Sequence, residues 1–105
     1  MAEYITKIEK YFKNYDEKAT SKDNLEILML YRLFISLSED VRYEIDSAVL
    51  QLDRLGIKNM GFVSCFEAVM KCVMFKASPH KYHNTMQQIR MVAEKKAVEY
   101  AEQSA

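Results

Sequence analysis

The chain has 105 residues, the size of one domain, so residues 1–105 are read as a single unit. Half of the residues are hydrophobic, 29% are charged and the formal net charge is zero, an ordinary balance for a globular protein. Only two glycines and one proline are present. A β-sandwich or barrel needs a turn about every 8–12 residues, so an all-β fold is excluded and an all-α domain is expected.

The first predicted helix runs from about Glu3 to Lys18. Tyr4, Ile5, Ile8, Tyr11, Phe12 and Tyr15 share one arc, and Lys7, Glu9, Lys10, Lys13, Asn14 and Asp16 fill the rest. Thr20, Ser21 and Asp23 end it and offer caps for a second helix, Lys22 to Leu37. Residues 25–37 are apolar around most of the circumference, as are residues 62–75 further on, and both stretches are expected to be central and buried. Ser38-Glu39-Asp40-Val41 opens a third helix, with a capping hydroxyl and two carboxylates in the positive first turn. Its inward side is read as Val41, Ile45, Ala48, Leu52 and Leu55. Leu55-Gly56-Ile57 has the pattern of a Schellman stop.

A fourth helix is predicted from residues 59–61 to Lys76. Ser64, Glu67 and Lys71 form its one polar strip, with Glu67 and Lys71 spaced as an i,i+4 pair. Ser78-Pro79 is an N-cap followed by proline at the first helical position. The fifth helix continues to about Glu102, with Tyr82, Met86, Ile89, Ala93, Ala97 and Tyr100 inward. The expected architecture is a compact five-helix bundle with two buried central helices and a long C-terminal helix. Leu30, Phe34, Phe66, Val69 and Val73 are its expected inaccessible centre.

Charge is unevenly distributed. Residues 1–53 carry seven Lys/Arg against eleven Asp/Glu, residues 54–96 carry eight against two, and residues 97–105 carry Glu99 and Glu102. An acidic first half and a basic second half suit pairing within the fold, pairing across a dimer, or a basic face for an acidic partner. Residues 62–75 include Glu67 and Lys71 and fall short of the roughly 20 apolar residues of a membrane span. Met1-Ala2-Glu3-Tyr4 is acidic and amphipathic, unlike a signal peptide. The expected location is the cytoplasm.

Chemical motifs are few. Cys65 and Cys72 lie on one predicted helix about 10.5 Å apart in rise, too far for a disulfide, and read as small buried thiols. His80 and His83 are spaced to share a metal, but no third or fourth ligand is near in sequence, so no metal and no cofactor is expected. Nothing in the sequence places either thiol in the electropositive, partly exposed setting that a reactive thiol needs, and no phosphate loop or HExxH pattern occurs. The carboxylates of the third helix, Glu39, Asp40, Glu44, Asp46 and Asp53, read as a solvated face. No enzyme is expected.

Two interaction patterns remain. Residues 48–67 read as helix, Gly turn and helix, with Lys58, Asn59, Ser64 and Lys71 as candidate nucleic-acid contacts. Against that reading, the second of these helices shows few polar residues to base edges. The stronger pattern is apolar residues on faces that should be wet: Tyr43 and Leu50 on the third helix, Met91 and Val98 on the fifth. Paired stripes of this kind point to binding surface. The expected function is a non-enzymatic protein–protein interaction module: a small regulator or inhibitor that docks on a larger protein and forms a homodimer. Small proteins of phages and other mobile elements often have this profile. The alternative is a small DNA-binding regulator using residues 48–67.

Overall fold

In the computed structural model, which describes residues 5–56 and 60–104, the described residues form six α-helices and no strand. They are α1 (Lys7–Tyr11), α2 (Tyr15–Lys18), α3 (Lys22–Ile35), α4 (Glu39–Leu55), α5 (Phe62–Ala77) and α6 (Pro79–Ser104). The all-α bundle and its long last helix are as expected. The predicted first helix, however, is two short ones.

The split has local causes. Thr6 and Glu9 form a reciprocal capping box, so the helix starts at Lys7 and Ile5 precedes it, exposed. Phe12 then leaves helical geometry, and Asn14 sits at φ −121°, ψ 26°. Asparagine competes with the helical backbone for hydrogen bonds and is a poor interior residue. The resulting bend carries the Phe12 ring into the centre, where it stacks on Tyr31 at 4.7 Å and meets Tyr15 at 4.8 Å and Phe66 at 5.1 Å. Tyr11, expected inward, is exposed and rests its ring on Phe62 at 4.8 Å.

α3 is buried on two sides, which explains its apolar circumference. Leu30 and Phe34 enter the main core with Ile8, Phe12, Ile45, Val49, Phe66, Met70, Met86 and Ile89. Leu25 and Leu28 face a second, smaller cluster with Ala19 and Ala93. Phe34 and Phe66 meet edge to face at 5.8 Å and join α3 to α5. α5 packs on α3, α4 and α6, and α6 also lies along α3. Leu30, Phe34 and Phe66 are inaccessible as expected, but Val69 and Val73 are only half-buried.

The inward face of α4 is rotated from the one the periodicity suggests: Ile45 is buried as expected and Val41 and Leu52 pack against the core, but Leu55 does not turn inward. Ile45, Asp46 and Val49 are buried, Val41, Ala48 and Leu52 are half-buried, and Leu55 is 69% exposed. The physical reason is that α4 covers α5 and also receives α1. The expected solvated carboxylate Asp46 is 3% exposed, and its Oδ1 accepts the Ile8 N–H at 3.1 Å. Beside it the Arg42 guanidinium donates to Glu9 Oε1 at 2.9 Å. One turn of α4 thus caps and clamps the start of α1.

Helix ends follow the expected chemistry in three of four cases, with Ser21 Oγ accepting the Asn24 N–H at 3.3 Å at the start of α3. Gly56 closes α4 at φ 60°, a conformation L side chains rarely adopt, while Ile57 lies outside the described residues. Ser78 Oγ accepts the Lys81 N–H at 3.4 Å at the start of α6. Ser38 is extended at the start of α4, but its side chain makes no capping bond. α6 has 26 residues and measures about 39 Å by helical rise, close to the 43 Å long axis of the molecule. From Glu94 to Gln103 every residue except half-buried Ala97 is exposed.

Candidate functional site

A concavity lies where α3 ends and α5 turns into α6. Met70, Val73, Met74 and Ala77 line it from one face of α5, at helical spacing. Leu33 from α3 and Leu37 just beyond it form a second wall. Lys81, Tyr82 and Thr85 of α6 form the third. A single residue, Ser78, connects α5 to α6, so the corner is sharp and the helices leave a cleft of about 270 Å³.

The cleft has an apolar floor and a thin polar rim. Ser36 Oγ donates to the Leu33 carbonyl at 2.6 Å, and Ser78 Oγ is engaged by the Lys81 N–H. Lys81 is the only charged lining residue, and no carboxylate, histidine or cysteine is among them. Such a site holds apolar groups and offers one cation to them. Phe75 stands outside it, 48% exposed, with its ring edge-on to Tyr82 at 5.5 Å and to His83 at 6.1 Å. Sequence reasoning missed the cleft because Leu33, Leu37, Val73, Met74 and Tyr82 were all assigned to packed core. No local signal in the sequence marks it, since periodicity gives the apolar side of a helix and not the distance to the next one.

The residues singled out from the sequence fall in separate places. Met91 and Val98 are 63% and 52% exposed, on the side of α6 opposite Met86, Ile89 and Ala93. Val92 is also exposed, at 37%. Tyr43 and Leu50 are half-buried on α4, and the Tyr43 hydroxyl donates to Glu39 Oε1 at 2.5 Å. Of the nucleic-acid candidates, Lys58 and Asn59 lie outside the described residues. Ser64 is the one exposed residue between Phe62 and Lys71, and Lys71 pairs with Glu67 at 3.8 Å. His80 and His83 are exposed, and among the described residues no group of three or more His, Cys, Asp or Glu is placed to hold a metal ion.

The two cysteines are not alike. Cys65 is fully buried, and burial, with a smaller contribution from Asp53, pushes its thiol pKa up. Cys72, expected to be buried, is exposed because α5 is covered only on the sides facing α3, α4 and α6. Under native conditions Cys72 is expected to react with a thiol reagent within minutes while Cys65 stays protected until unfolding. Mass-spectrometric mapping of the modified site checks this; simultaneous labelling of both would contradict the packing around Cys65.

Among the described residues no helix is long and apolar enough to cross a membrane. No family model, curated protein or solved structure matches this chain.

Proposed function

We propose that the chain is a small helical regulator or inhibitor that works by docking on a larger protein, without catalysis, and that pairs with a second copy through α6. One observation carries the reading: Met91 and Val98 stand two turns apart on the outer face of the helix, well exposed, where the bundle needs no apolar residue. A two-fold antiparallel pairing brings Met91 of one copy to Val98 of the other and buries the same patch on both. The exposed last three turns of α6 leave that face open to a partner.

Sedimentation tests the pairing. The parent chain is expected to run as a dimer at tens of micromolar, and Met91→Glu with Val98→Glu as a folded monomer. A parent that is already monomeric removes self-association and passes the partner role to Tyr43 and Leu50 on α4. The DNA-binding alternative on residues 48–67 has less support, because α5 offers a groove little beyond Ser64. Retention on heparin that falls steeply with salt would revive it.

A further inference from the structure

We propose that the cleft between α3, α5 and α6 receives an acidic amphipathic segment of another protein, seating one bulky apolar side chain against Val73 and Met74 and a carboxylate against Lys81. The proposal rests on the docking reading above and specifies the chemistry of the partner. Size sets the first limit. A volume of about 270 Å³ lies just below the range of about 300–1,000 Å³ typical of small-molecule and cofactor pockets, and fits one or two side chains of a peptide. The floor sets the second. Met70 and Met74 contribute flexible, polarisable walls that adapt to different apolar groups.

Charge decides the class of partner. Residues 68–93, which include the α5–α6 corner, contain Lys71, Lys76, Lys81 and Arg90 and no Asp or Glu. Lys71 is paired with Glu67, but among the described residues Lys76, Lys81 and Arg90 form no ion pair. The carboxylates that bound this stretch are Glu67, paired with Lys71, and Glu94, 13 positions beyond Lys81 on α6, while Glu39 and Asp40 follow Leu37 at the start of α4. A basic ligand entering the cleft meets uncompensated like charge, whereas an acidic one is complementary. Phosphates of a nucleic acid satisfy the same lysines but leave the apolar floor unused. A peptide laid as an amphipathic helix in the groove uses both.

The test starts from random peptides displayed on phage and selected on the full-length chain. Enriched peptides are then measured by fluorescence anisotropy against the parent, Ala77→Trp, Lys81→Glu and the Met91→Glu, Val98→Glu double variant. Ala77 and Lys81 are exposed rim positions, and circular dichroism serves to check that each variant folds. The expected result is enrichment of bulky apolar residues beside Asp or Glu. Ala77→Trp, which fills the cleft, and Lys81→Glu should each weaken binding about tenfold or more, while the double variant binds like the parent. If Ala77→Trp misfolds, Lys81→Glu alone carries the comparison. Enriched peptides that lack acidic residues, or that bind Lys81→Glu as well as the parent, overturn the proposal. So does a selection that enriches nothing. Peptides lost only in the α6 double variant overturn the cleft while sustaining docking at the outer face of α6. Competition by duplex DNA at low salt, abolished by Lys81→Glu, overturns it in favour of nucleic acid. A selection that enriches nothing together with a monomeric parent removes the docking reading as well.

Discussion

Replacing Phe66 by alanine is expected to cost about 3–5 kcal/mol, the range for truncating a buried phenylalanine. Phe66 has no solvent exposure, and its ring touches both aromatic anchors of the centre, Phe12 at 5.1 Å and Phe34 edge-on at 5.8 Å. Alanine there removes three-way contact between the N-terminal segment, α3 and α5. Surrounding side chains cannot collapse into the space without moving three elements, so the cavity term is largely retained. Domains of this size are stable by about 5–15 kcal/mol, so the loss is a large share of the whole. Urea titration monitored by circular dichroism measures it as a lower midpoint with little change in slope. Val73→Ala is the control. It is half-buried and lines the cleft, so its loss should be about 1 kcal/mol, nearer the centre of the mutational distribution. A Phe66→Ala protein as stable as the parent, or one no worse than Val73→Ala, would refute this account of the core.

The second large effect is expected at Asp46. Alanine there leaves the Ile8 N–H buried without an acceptor, because Ile8 is itself inaccessible. An orphaned buried donor costs about 1–3 kcal/mol, and the loss of a carboxylate at the start of α1 adds to it. Asp46→Asn keeps an acceptor at Oδ1 and should retain most of the stability. The damage should be local. Hydrogen exchange of the Ile8 amide and its neighbours is expected to accelerate in Asp46→Ala, while amides of α3 and α5 change only as far as global stability falls. Glu9→Gln weakens the adjacent pair with Arg42 and should act in the same direction by less than 1 kcal/mol, since both side chains are partly exposed. If Asp46→Ala stays within about 0.5 kcal/mol of the parent and the Ile8 amide exchanges no faster, α4 does not clamp α1.

By itself the sequence determined the features that act within one or two turns of helix. The 3.6-residue period places Leu30, Phe34, Phe66, Met86 and Ile89 inward, and they are buried. Ser78-Pro79 starts α6 and Gly56 ends α4, because a fixed or permissive φ constrains the backbone whatever surrounds it. Met91 and Val98 were legible as outward because they oppose the inward stripe of their own helix. Tertiary structure decided which apolar faces are covered. Cys72 and Leu55 belong to apolar patterns as regular as the buried ones, yet both are exposed. Asp46 has the local setting of a solvated residue, and only α1, whose Ile8 lies 38 positions away in the chain, turns it into a buried cap. The cleft belongs to this second class. Its walls come from three helices whose separation no local signal encodes, since periodicity states which side of a helix is apolar and not how far away the next helix stands.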